Sequence, residues 1–154
     1  MSVETVKEYL SRWGKAGEVR EFPVSSATVE LAAQALGVEP GCIAKTLCFA
    51  KGEGCVLVVA AGDARVDNAK FKAEFGQKAK MLPPDRVLAL TGHAVGGVCP
   101  FALPDGVEVT LDRSLERYEA VYPACGSANS AIRLTIGELP EIAGSHRWVD
   151  VCKA

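Results

Sequence analysis

Two apolar runs, at positions 43–49 and 55–61, flank the tetrapeptide Lys51-Gly52-Glu53-Gly54. Each run has strand length, and the second holds Val56, Val58 and Val59, residues whose branched side chains favour extended backbone. Two such runs joined by a short glycine-containing segment predict a β-hairpin. The first run is apolar enough to be buried on at least one face, so the hairpin must be covered by other elements. A lysine interrupts it. By period-two alternation Lys45, Leu47 and Phe49 share one face. Lysine is almost never fully buried without a partner. Its ammonium either snorkels to water along its apolar stem or serves a function.

The remaining pattern predicts interspersed helices and strands. Val3, Val6, Leu10 and Trp13 recur at helical spacing after Ser2, a candidate N-cap, and Gly14 and Gly17 end that helix. Val29, Ala32, Ala33 and Leu36 mark a second helix closed by Gly37. Asp67 caps a third over 68–75, and Pro83-Pro84 open a fourth. Thr135-Ile136-Gly137-Glu138 forms a capping box for a fifth that ends near Gly144. Short strands are predicted at 18–22, 79–82, 107–111, 119–122, 132–135 and 148–152, with a helical turn at 114–118. The mixture predicts one α/β or α+β domain: a mixed sheet surrounded by helices.

Bulk properties narrow the function. A chain of 154 residues is one domain by size. No apolar run approaches a membrane span, and the N-terminus lacks a secretory layout, which predicts a cytoplasmic protein without a membrane partner. The net charge of −2 argues against broad duplex binding and leaves room for a short single-stranded end. Lys70, Lys72, Lys78 and Lys80 cluster in sequence and read first as a solvated face. The six cysteines, at 42, 48, 55, 99, 125 and 152, show no zinc or redox spacing and read as reduced, packed thiols. His93 and His146 are the only histidines, so no metal site is expected.

Two glycine-containing loops carry the chemistry. In Thr91-Gly92-His93-Ala94-Val95-Gly96-Gly97-Val98-Cys99-Pro100-Phe101 the glycine pair can present main-chain N–H groups to an acyl oxygen or a phosphate. Gly126-Ser127-Ala128-Asn129-Ser130 offers side-chain hydrogen-bonding groups. A general-base role for His93 competes with simple solvation in the loop. No Gly-x-Ser-x-Gly elbow is present.

Taken together, Lys45 in its strand, Gly62-Asp63-Ala64-Arg65-Val66-Asp67, the glycine loop and the polar loop resemble the YbaK/ProX family of aminoacyl-tRNA deacylases. The same fold forms the editing domain inserted in bacterial prolyl-tRNA synthetases. The resemblance spans roughly positions 22–144. It implies a compact domain with a mixed, barrel-like sheet, with the first helix, before position 18, packed on it. It implies no cofactor and no metal. Its partners would be the 3′-terminal end of aminoacyl-tRNA and prolyl-tRNA synthetase.

By the resemblance, Lys45 contacts the substrate's terminal nucleotide, and Gly96 and Gly97 form a backbone oxyanion site. Thr46, Asp63, Val98, Pro100, Phe101, Gly126, Ser127, Asn129 and Ser130 bind substrate. Ser130 departs from members that carry a pocket histidine at that position, which withholds any transfer of their alanine specificity. The implied activity is trans-editing: hydrolysis of the ester joining a small amino acid such as cysteine, alanine or serine to tRNA(Pro) or a related tRNA, assisted by the substrate's own ribose hydroxyl. A non-catalytic aminoacyl-tRNA sensor with the same pocket is the alternative, and a thiol enzyme using Cys99 or Cys125 a third. An alanine at Gly97 is expected to slow the reaction while leaving the fold largely intact.

Overall fold

The computed structural model describes residues 3–153. In chain order its elements are α1 (Val3–Leu10), β1 (Arg20–Glu21), α2 (Val29–Leu36), β2 (Ile43–Lys51), β3 (Gly54–Ala61), β4 (Arg65–Val66) and α3 (Asn68–Phe75). Then follow α4 (Pro84–Thr91), β5 (Glu108–Asp112), β6 (Ala120–Pro123), β7 (Ser130–Ala131), β8 (Leu134–Thr135), α5 (Leu139–Ala143), β9 (Trp148–Val149) and β10 (Cys152–Lys153). Single 3₁₀ turns cover Ser11–Trp13, Ala16–Glu18, Pro40–Cys42 and Arg113–Arg117.

The β2–β3 hairpin is the centre of a six-stranded mixed sheet, in the order β8-β6-β2-β3-β5-β9. The hairpin is antiparallel, with Lys45 opposite Ala60, while β6 runs parallel to β2 and β5 parallel to β3. Every residue of β3 after Gly54 is buried. That explains its unbroken apolar sequence: a strand covered on both faces has no polar alternation to show. The sheet curls into a half-barrel with helices around it, a single α+β domain. Two ribbons, β1 with β7 and β4 with β10, sit outside it. Val6 and Leu10 of α1 are wholly buried in the main core.

The helices begin and end where local chemistry dictates. The Asp67 and Thr28 side chains accept hydrogen bonds from Lys70 N at 3.0 Å and Leu31 N at 3.1 Å. Gly37 and Gly76 close their helices in the left-handed conformation. In the capping box, Thr135 N donates to Glu138 Oε1 at 2.8 Å and Glu138 N to Thr135 Oγ1 at 3.2 Å. The N-cap expected at Ser2 lies outside the described residues. No described helix is long and apolar enough to cross a membrane.

Three expectations change. The strand at 79–82 reduces to an isolated bridge between Phe49 and Met81, because Pro83 follows and cannot extend a ladder. The strand at 148–152 divides into β9, at the edge of the main sheet, and β10, which turns to pair with β4. Between them Asp112 Oδ1 accepts from Val151 N at 2.8 Å and bends the chain. The strand at 132–135 shrinks to β8, which pairs with β6, and a separate two-residue strand, β7, precedes it and pairs with β1.

Candidate functional site

The two glycine-containing loops meet. Gly126 N donates to Gly97 O at 3.1 Å. Their backbones approach so closely that a Cβ at Gly97 would lie 2.7 Å from Ser127 N and 2.8 Å from Gly126 C. Gly96 has φ +99°, a conformation that side chains other than hydrogen rarely tolerate. The segment before α2 is stitched to the polar loop from the other side. Phe22 N donates to Asn129 O at 2.8 Å, Asn129 Nδ2 to Phe22 O at 2.9 Å, and Ser26 N to Ala128 O at 2.6 Å.

These loops, the start of α2 and the first half of β2 enclose a cavity of about 410 Å³. Its walls are mostly small and apolar, among them Ala32, Ala44, Ala124 and Ala131, and Lys45, Thr46, Tyr122 and Ser130 add polar groups. Met81 and Val95, 59% and 60% exposed, also line it and give it an apolar rim. A larger groove of about 1140 Å³ lies between α1 and the 100–109 loop. Of the expected site residues it holds Pro100 alone, so the smaller cavity is the candidate site.

Lys45 lines the cavity, and its ammonium donates to Gly62 O at 3.4 Å and to Ala64 O. Burial lowers its pKa from the ordinary 10.5. Both partners are neutral carbonyls, so the positive charge remains uncompensated by direct contact. The Thr46 hydroxyl is buried without a hydrogen-bond partner among the described residues. A buried polar atom left unpaired is costly and marks a place where a ligand can supply the missing bond.

The glycine pair divides its labour. Gly97 N already donates to Ala94 O at 2.9 Å, closing a turn. Gly96 and Val98 line the cavity, and neither N–H donates to another group among the described residues. Of the polar loop, Ser130 reaches the cavity wall; it is 2% exposed. Ser127 and Asn129 stand behind it, joined to it and to Phe22 by hydrogen bonds.

Other expected residues stand elsewhere. Asp63 forms a two-pronged ion pair with Arg117, at 2.5 and 3.3 Å, which holds its carboxyl below the usual range. The Phe101 ring is wholly buried and packs 6.0 Å from that of Tyr9. Its carbonyl contacts His93 Nε2 at 2.8 Å. His93 is itself wholly buried, outside the cavity lining, and burial lowers its pKa. Cys99 and Cys125 are wholly buried; burial pushes the Cys99 thiol up to about 12 and the Cys125 thiol well above 9. Lys70 is engaged with Asp150 at 3.2 Å and Cys152 O at 3.1 Å.

Sequence reasoning missed the walls supplied by Ala27 and Thr28, by Val87 of α4, and by the rim residue Met81. The only signal was indirect: Thr28 is a good N-cap, and Met81 is a large apolar residue that remains exposed beside a double proline.

The lysine-bearing strand, the paired loops and the cavity between them have close counterparts. Residues 24–142 match the model of the aminoacyl-tRNA editing domain. The chain belongs to that family. It is 53% identical to the uncharacterised protein YwhH of Bacillus subtilis over 155 aligned positions, covering 99% of this chain and 98% of that one. Proline–tRNA ligase of Thermotoga maritima is 33% identical over 104 positions, which cover 66% of this chain and 17% of the ligase. Among solved structures, a candidate trans-editing enzyme for prolyl-tRNA synthetase superposes with a TM-score of 0.88 at 32% identity, over 99% of this chain and 97% of that one.

Proposed function

We propose that this editing-domain protein is a free-standing deacylase that hydrolyses the ester between a small amino acid and the 3′-terminal ribose of a tRNA, with tRNA(Pro) the first candidate. The observation that carries this reading is the cavity itself. It combines one half-buried cation, two main-chain N–H groups without partners among the described residues and small apolar walls. No carboxylate, histidine or metal-binding cluster lines it among the described residues, which fits a reaction that draws on the substrate.

The chemistry follows from these parts. Water adds through oxygen to the ester carbon, and the carbonyl oxygen gains negative charge. We assign that oxyanion to the Gly96 and Val98 N–H groups, a task first expected of Gly96 with Gly97, because Gly96 and Val98 both line the cavity and neither N–H has a partner among the described residues. Preorganised donors in a site shielded from water are an effective way to stabilise such charge. The bond from carbon to ribose oxygen then breaks. The ribose oxygen takes up one proton of the attacking water, relayed by the neighbouring hydroxyl, and the other proton passes to solvent as the amino acid leaves as a carboxylate. Lys45 holds the phosphate of the terminal nucleotide as a point charge. Met81 and Val95 give the base an apolar surface. The protein contributes position and electrostatics, which suffice when the ester is held near its attacking water.

The test is deacylation of a panel of mischarged tRNAs by the wild-type protein and by Lys45→Ala. Release of the amino acid by the wild type, with about ten- to hundredfold loss in the variant, supports the reading. Binding of aminoacyl-tRNA with no turnover of any ester would replace it with a sensing module.

A further inference from the structure

The hydroxyl chain behind the cavity has a direction, and proton counting gives it. Asn129 Nδ2 donates to the Phe22 carbonyl at 2.9 Å. That contact fixes the amide, because the opposite orientation would face two carbonyl oxygens towards each other. Asn129 Oδ1 is therefore an acceptor, and its partner at 3.0 Å is Ser127 Oγ. A serine hydroxyl has one proton, and Ser127 spends it there. The 2.6 Å contact between Ser127 Oγ and Ser130 Oγ must then be donated by Ser130. Ser130 has no proton left for the cavity it lines. It presents lone pairs alone.

Resting on the deacylase reading, we infer that Ser130 is a specificity-determining hydrogen-bond acceptor, oriented by Ser127 and Asn129, and that the preferred acyl group carries a side-chain hydroxyl, as in a seryl ester. Ser127 and Asn129 are positioning residues. The α-ammonium of the substrate is the competing donor, and the cavity is poorly built for it at this point. An ammonium needs several acceptors or a counter-charge. The lining contains no carboxylate among the described residues, and the Lys45 cation is also part of it. A neutral hydroxyl needs one acceptor. An alanyl side chain would leave the Ser130 lone pairs buried and unpaired, and sites built around a hydrogen bond reject analogues that lack it.

The experiment measures binding of three non-hydrolysable amides of 3′-amino-3′-deoxyadenosine, acylated with serine, alanine or β-fluoroalanine. The fluoro compound resembles the seryl one in size and has no proton to donate. The wild-type protein is expected to bind the seryl amide about tenfold more tightly than the alanyl, and the fluoro compound no better than the alanyl. In Ser130→Ala the three affinities should fall within about threefold of one another. In Ser127→Ala the Ser130 hydroxyl is free to turn its proton into the cavity, so the gap between seryl and fluoroalanyl should narrow by at least about threefold. Equal binding of the seryl and fluoroalanyl amides by the wild type overturns the inference without recourse to any variant. So does a Ser130→Ala protein that loses affinity for all three alike, which would give Ser130 to the α-ammonium. If the amides follow the expected order while the corresponding esters are not cleaved, the acceptor assignment holds and the hydrolase reading falls.

Discussion

Lys45 and Gly97 show how single residues commit this site. Burial lowers the Lys45 pKa below 10.5. Between the lowered value and 10.5 the unfolded chain keeps a proton that the folded chain has released. Folding stability attributable to this group therefore rises with pH across that window. Activity moves the opposite way, since the cation is lost as pH climbs through the lowered value. Carbon NMR of the Lys45 Cε should show titration below 10.5, with deacylation declining over the same range; titration at or above the ordinary value would mean a solvated ammonium. Gly97 departs from expectation. Its φ lies outside the left-handed region, and on sequence grounds a methyl group there costs little. In the structure that Cβ would meet the Ser127 and Gly126 backbone at 2.7–2.9 Å, and backbone cannot swing aside as a side chain can. Gly97→Ala should force the loops apart, break the hydrogen bond from Gly126 N to Gly97 O and cost about 1–3 kcal/mol. Thermal denaturation should show Tm lower by several degrees, together with lost activity. An unchanged Tm would mean that the loops are not packed as described.

At the scale of elements, α2 links stability to the site, because its N-terminal residues Thr28, Val29 and Ala32 line the cavity. Thr28→Ala removes the side-chain cap on Leu31 N and should cost about 1 kcal/mol, read as a lower urea midpoint with an unchanged slope. The same helix shows what was legible beforehand. Its apolar spacing, the αL glycine at 37 and the run of β3 all appear in the sequence because each depends on near neighbours. The two-residue strands do not. Arg20–Glu21 is a strand because Ser130–Ala131 lies beside it, and no two-residue segment has a period to detect. The splitting of 148–152 depends on a hydrogen bond from Val151 to Asp112, 39 positions away. The site follows the same division. Lys45 stood out as a cation in an apolar strand, Gly96 as part of a glycine pair, and Ser130 only through the family resemblance. The direction of the Ser127–Ser130 contact required Phe22, which no local reading attaches to the polar loop.

Over the whole molecule, the six thiols report how tightly the fold is closed and which chemistry it can support. All six are free. Cys48, Cys55, Cys99, Cys125 and Cys152 are buried, and Cys42, in the turn before β2, is partly exposed. Thiols react as thiolates. Burial raises the pKa of Cys48, Cys99 and Cys152 to about 12, so these three are almost entirely protonated at neutral pH. Cys42 is raised as well, chiefly by burial, but reagent can reach it. A colorimetric thiol reagent at neutral pH should therefore label the native protein slowly at one site, Cys42, and all six only in denaturant. Global unfolding must precede reaction of the other five, because their shielding comes from the shared core rather than from a loop that opens alone. The labelling rate at those five should rise with urea as the unfolded fraction does. Rapid reaction of Cys99 or Cys125 in the native state would show the site loops to be open, and would revive a thiol mechanism. Full deacylation by Cys99→Ser and Cys125→Ser, alongside the slow native labelling, would assign these thiols to packing.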